Sequence, residues 1–126
     1  MLDVCISLLK DSVDLLVKSK EMKSENKVRV SILLGEMSSI LEDTANKISK
    51  NEYPHFNCAI MEKMSNHLHF HLKDYIPENQ LNELHKSLIE TSQVEKQFAT
   101  REDNETISSL FNAAATFKTF SLLLKV

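Results

Sequence analysis

Three histidines stand at alternate positions in HLHFHL, residues 67–72, in a chain that has five in all. On a strand, that alternation would put three imidazoles in one row, and imidazole nitrogens are the usual ligands of zinc and of non-haem iron. On a helix, at about 100° per residue, the row is split. His67 and His71, four apart, fall within a broad apolar face made by Phe56, Ile60, Met64, Leu68, Leu72 and Tyr75. His69 points the other way, toward Glu62 and Cys58, and is expected to face solvent. In the next helical segment His85 shares its side with Leu81, Leu84 and Leu88. If the two segments form an antiparallel hairpin, His67, His71 and His85 converge, and they are the candidate metal ligands.

The surrounding chemistry argues against that use. Di-iron bundles need inward carboxylates and E-x-x-H spacing on two helices. Here that spacing occurs once, from Glu52 to His55 in EYPH, across a helix junction. No H-E-x-x-H of the metalloprotease type is present. The expectation is therefore that His67, His71 and His85 are neutral imidazoles in a core wall, each hydrogen-bonded, with no metal and no cofactor. Burial would also lower their pKa, so a core that loosens on acidification is a further consequence to look for.

Nucleophile chemistry is no better supported. His55 and Cys58 are three apart but fall on the polar side of their helix, without an orienting third group. One glycine leaves no loop to cradle phosphate. Ser38-Ser39 and Ser108-Ser109 are interior to helices, and Met22, Met37, Met61 and Met64 suit core packing. The expectation is a protein that is not an enzyme.

The elements that would carry these residues follow from composition. With 126 residues the chain is expected to be one domain, 1–126, burying roughly two-thirds of its unfolded surface. It has one glycine, two prolines and no tryptophan. A sheet-rich domain needs more turn residues than that to reverse its strands. The apolar share of 42% and charged share of 26% are those of an ordinary globular protein.

Periodicity and punctuation divide the chain into five helical segments. The first, about 2–22, carries Leu2, Ile6, Leu9, Val13, Leu16 and Val17, and Ser24 is the expected cap of the second. That second segment runs to about Lys50 with Val30, Leu33, Leu34, Met37, Ile40, Leu41, Ala45 and Ile48 on one stripe. Gly35 sits inside it and costs about 1 kcal/mol against alanine, which points to a close helix contact. Pro54 and Pro77 are placed to open the third and fourth segments, which extend to about Tyr75 and Ala99. REDNET breaks the fourth, Asp103 or Asn104 caps the last, and TISSLFNAAATFKTFSLLLKV is apolar on most sides. The expected fold is all-α: an up-and-down antiparallel bundle of four to five long helices with no β-sheet.

A net charge of −3 lacks the basic face that duplex nucleic acid requires. Cys5 and Cys58 stand far apart without C-x-x-C spacing, as in a reducing compartment. The N-terminus lacks the basic start and apolar run of a secretory signal, and no stretch approaches ~18 uncharged apolar residues. Cytoplasmic location is the resulting expectation, and the apolar end SLLLKV is compatible with the front module of a longer protein.

By elimination the leading function is non-catalytic. It is that of an adaptor-like interaction module that meets a protein partner, a second copy or another domain, through an apolar helix face. The last helix supplies the expected surface, Leu110, Phe111, Phe117, Phe120, Leu123 and Leu124. A second reading is a membrane-acting bundle that uses the amphipathic first helix and the basic turn at 18–29, KSKEMKSENKVR. The third is metal binding through the three histidines.

Overall fold

The computed structural model describes residues 2–92 and 104–125, and within them there are helices and connecting turns but no strand. The helices are α1 (Leu2–Lys18), α2 (Ser24–Ser49), α3 (His55–Leu72), α4 (Glu78–Ser92) and α5 (Asn104–Lys125). The all-α bundle expected from composition is therefore the fold. The expected run of the fourth helix to Ala99, the break at REDNET and the cap at Asp103 lie outside the described residues. Asn104, the other expected cap, is the first residue of α5.

The boundaries show how few devices set them. Pro54 and Pro77 each stand one residue before their helix rather than in its first position. Their carbonyls accept from Cys58 N at 3.1 Å and from Leu81 N at 2.9 Å, so both prolines play the N-cap part. Lys23, not Ser24, caps α2, and it contributes no side-chain bond. The last helix turn of α2 closes over Asn51, whose positive φ of 60° is the left-handed conformation asparagine tolerates best after glycine.

The packing order is a closed ring. α1 packs against α4 and α5, α2 against α5 and α3, and α3 against α2 and α4. Consecutive helices α1 and α2 share no extensive contact; α5 packs against both. Hydrogen bonds fix the directions. Ser31 and Ser38 of α2 meet Ser121 and Ala114 of α5, Asn57 and Tyr75 meet Thr44 and Asn26, and Gln80 of α4 meets Ser12 of α1. Two contacts each make the α2–α5 and α2–α3 pairs antiparallel. For α1–α4 the Ser12–Gln80 bond is joined by a groove where Val4 and Leu8 meet Glu83, Ser87 and Glu90. The short turn 73–77 folds α4 back along α3, so these pairs are antiparallel as well. A ring of five alternating rods cannot alternate all the way round, so α1 and α5 run parallel. The ends of α1, α3 and α5 consequently gather with the starts of α2 and α4 at one end of the bundle.

The core runs the length of the ring. Leu9, Val13 and Leu16 of α1, Leu34 and Met37 of α2, Leu68 and Leu72 of α3, Leu84 and Leu88 of α4, and Leu110 and Phe117 of α5 are all fully buried. The stripe read from α2 is the one that is used: Val30, Leu34, Met37, Leu41, Ala45 and Ile48 are buried, with Leu33 and Ile40 half-buried.

The α2–α5 seam is the closest contact because its central residues are small. Ser31, Gly35 and Ser38 face Ala113, Ala114 and Ser121, and a Cβ placed on Gly35 would lie 3.2 Å from Ser121 Oγ. The close approach expected at Gly35 is the one observed.

Candidate functional site: an exposed aromatic face beside a histidine seam

The residues α3 buries are Asn57, Met61, Ser65, Leu68 and Leu72, a stripe at three- and four-residue spacing. It is turned from the apolar face read in the sequence by somewhat less than the ~100° between successive residues. Two polar residues make the difference. Asn57 Nδ2 donates to Asp43 Oδ2 at 2.9 Å and to Thr44 Oγ1 at 3.0 Å, while Lys47 Nζ donates to Asn57 Oδ1 at 3.1 Å. Ser65 Oγ donates to its own helix, at Met61 O, 2.7 Å away. With these partners, burial costs neither residue an unmade bond.

The Asn57 network also acts on charge. The bond from Asn57, followed by that from Lys47, holds the Asp43 carboxyl below its ordinary pKa. Lys47 Nζ stands 3.2 Å from Asp43 Oδ2, a surface pair of the kind that adds little by itself.

The consequence of the turned stripe is that aromatic residues remain outside. Phe56 is 78% exposed and Phe70 60% exposed, with Tyr53 also exposed just before the helix and Ile60 half-covered between them. Phe56, Ile60, His67 and Phe70 share one outward face of α3. Only small polar contacts dress it: Lys73 Nζ lies 4.4 Å over the Phe70 ring, and His71 meets Phe70 edge-on with centroids 5.5 Å apart.

The same turn rearranges the histidines. His67 is exposed rather than part of the core wall, and His71 is half-buried against Phe70. His69, expected to face solvent, instead packs against α4: its ring meets His85 edge-on, with centroids 4.7 Å apart. His85 Nε2 donates to Asn66 Oδ1 at 2.8 Å. So His67, His71 and His85 do not form a group. Among the described residues no three His, Cys, Asp or Glu side chains stand together as a metal site would require. The pair brought together is His69 with His85, at the edge of a seam formed by Ser65, Leu68, Leu72, Leu81, Leu84 and Leu88.

Burial in this seam pushes the His85 pKa below its ordinary value, and the neighbouring His69 adds repulsion in the same direction. Two imidazoles, a carboxamide and aliphatic walls can report protonation. They cannot by themselves hold a four-coordinate ion.

The surface expected on α5 is mostly core. Leu110, Phe117, Phe120 and Leu124 are buried, because α5 is wedged between α1 and α2 and uses more of its circumference than a helix at an edge. Phe111 and Leu123 remain exposed, as does Leu122. By length and composition alone Ile107–Lys125 is apolar enough to cross a membrane, although it carries Lys118 and Lys125 and so is not an uncharged apolar run. Here it packs against α1 and α2. An open groove of about 300 Å³ lies between α1 and α4, lined by Val4, Leu8, Glu83, Lys86, Ser87 and Glu90.

The class defined by fold and surface is an all-α bundle with an uncovered aromatic helix face. The chain matches no protein-family model, no curated protein and no solved structure.

Proposed function

We propose that this chain is a non-catalytic helical interaction module that works through the outer face of α3, by pairing with a second copy of itself. The observation that carries this reading is the exposure of Phe56 and Phe70 on one face, at 78% and 60%. Aromatic side chains contribute large contact area and dominate the energetics of interfaces. A two-fold pairing of this face would set aromatic residues of one copy against those of the other, as isologous dimers do.

The non-catalytic part rests on how the polar groups are used. Every buried side-chain nitrogen and oxygen among the described residues has a hydrogen-bond partner, and those partners lie within the helix packing. Among the described residues no buried polar side chain is left without a partner. A cytoplasmic setting belongs to the same proposal, in keeping with only two cysteines, far apart in sequence and without C-x-x-C spacing.

Sedimentation velocity tests the reading. The wild-type chain should sediment as a dimer at about 100 µM, well above a micromolar Kd. A Phe56→Ser/Phe70→Ser variant should be a folded monomer at the same concentration. A monomeric wild type, or a variant that dimerises equally well, overturns the proposal.

A further inference from the structure

The geometry points to a second surface: the end of the bundle where α1, α3 and α5 finish is a docking face for an anionic lipid bilayer. The ring topology assembles it. The α1–α2 turn and the start of α2 contribute Lys18, Lys20, Lys23, Lys27 and Arg29. The end of α3 contributes Lys73, and the end of α5 contributes Lys125. Against these seven cations the same depth of the bundle carries Asp14, Glu21, Glu25, Asp74, Glu78 and Glu83. The positive charge is concentrated in residues 18–29, where Lys18, Lys20, Lys23, Lys27 and Arg29 stand against Glu21 and Glu25 in a chain of net charge −3.

Part of this charge has a local use. Lys18, Lys73 and Lys125 sit at helix C-termini, where the dipole favours a cation, and Lys27 Nζ donates to Ser19 O at 3.1 Å. Lys20, Lys23 and Arg29 have no such role. All three are exposed, and none of the seven cations is in an ion pair among the described residues.

Exposed apolar residues accompany the charge. Val17 in the last turn of α1, Val28 near the start of α2, and Leu123 in the last turn of α5 are all exposed at this end. Because α1 and α5 run parallel and α2 runs antiparallel to α5, all three lie toward this end of the bundle. Cations interspersed with exposed aliphatic side chains are what an acidic bilayer surface takes up: phosphate and carboxylate headgroups meet the Lys and Arg, and the aliphatic groups enter the headgroup boundary. A soluble acidic protein would match the charge but leaves the aliphatic side chains without a medium to enter. This end meets the outer face of α3 at Lys73 and Phe70, whereas Phe56 stands in the first turn of α3 at the opposite end, so a Phe56 variant separates the two proposals.

Co-sedimentation with vesicles tests it, using phosphatidylcholine alone or with about a third phosphatidylserine, at about 0.1 M and 0.5 M salt, since the Debye length falls as salt rises. The wild-type chain should pellet with the acidic vesicles at low salt, be released at high salt and ignore the neutral ones. Lys20→Gln, Lys23→Gln and Arg29→Gln should each weaken binding about fivefold, and together about a hundredfold. Phe56→Ser, at the far end of α3, should bind vesicles as the wild type does. The chain has no tryptophan, so Val28→Trp supplies a single reporter whose emission should shift to the blue on acidic vesicles. Failure of the wild type to pellet, equal pelleting with neutral vesicles, or undiminished binding by the folded triple variant overturns the proposal. So does bound Val28→Trp protein without a blue shift.

Discussion

Ser31 and Ser121 exchange hydrogen bonds across the α2–α5 seam: Ser31 Oγ donates to the Ser121 carbonyl at 2.6 Å, and Ser121 Oγ donates to the Ser31 carbonyl at 2.6 Å. Both hydroxyls are buried and each is fixed by the other helix's backbone. Ser38 adds a third bond of the kind, to Ala114 O at 2.6 Å. Small residues that let backbones approach and hydroxyls that bond across the gap are how helices pack where there is little room for side chains.

This arrangement decides the effect of Gly35→Ala. Alanine in a helix interior is favoured over glycine by about 1 kcal/mol. The new methyl, however, would stand 3.2 Å from Ser121 Oγ, which cannot swing aside without losing its bond to Ser31. Gly35→Ala is expected to destabilise the wild-type chain by about 1 kcal/mol, the lost buried bond and strain exceeding the propensity gain. In a Ser121→Ala background the same change should stabilise by about 1 kcal/mol. Urea unfolding of the four chains gives the cycle, and a Gly35→Ala effect of the same sign in both backgrounds refutes it.

Asn57 provides a test on α3. Asn57→Ala removes the group that contributes most to holding down the Asp43 pKa. The Asp43 carboxyl should then titrate closer to its ordinary range, and NMR titration of its side chain reads this directly. Stability should fall by about 1–3 kcal/mol, because Thr44 Oγ1 loses a buried donor. In the wild type, the stability contributed by Asp43 is present above its unfolded pKa and is lost as pH falls through the folded value. An unchanged Asp43 titration in the variant would remove the asparagine from this role.

His85 gives the pH dependence its sign. Its folded pKa lies below the ordinary 6.5, so below that pH the unfolded chain binds the proton more readily than the folded one. The His85 contribution to stability is therefore complete above 6.5 and diminishes as pH falls toward the depressed folded value. His85→Gln retains a donor for Asn66 Oδ1 and cannot titrate. Urea midpoints at about pH 7.5 and pH 5.5, on either side of the ordinary histidine pKa, should differ more for the wild type than for His85→Gln. Equal differences would show that the His69–His85 contact has no part in the acid response.

How much of this was legible in the sequence varied with the helix. α2 could be read because its buried stripe is nearly all aliphatic and its polar residues lie outside it. α3 misled because it is apolar on two sides: Leu68 and Leu72 belong to the core, Phe56 and Phe70 do not. The deciding residues, Asn57 and Ser65, look like surface positions by type. Nothing in the periodicity of α3 shows that Asp43 and Thr44, on another helix, will satisfy Asn57. The histidine grouping inherited that error, since a modest turn of the helix exchanges His67 for His69. On α5, residues apolar on most sides indicated burial, but which of them would stay exposed depended on its place between α1 and α2. That place, and the parallel α1–α5 seam, are properties of a five-membered ring that short connections between neighbours do not reveal.

Phe117 and Phe111, six residues apart on α5, separate packing from surface. Phe117 is fully buried at the centre of the seam, whereas Phe111 is 38% exposed on the outer side of the same helix. Phe117→Ala should leave a cavity in the buried core that Ala113 and Ala114, one turn away on the same helix, are too small to fill, at a cost of about 3–5 kcal/mol. Set against a total stability of about 5–15 kcal/mol, that is enough to leave a substantial fraction unfolded at physiological temperature. Phe111→Ala removes far less buried area and should cost well under half as much. Thermal unfolding followed by circular dichroism compares them directly. Near-equal losses would mean that α5 is not seated in the ring with Phe117 inward, and the topology built on that seat would fall with it.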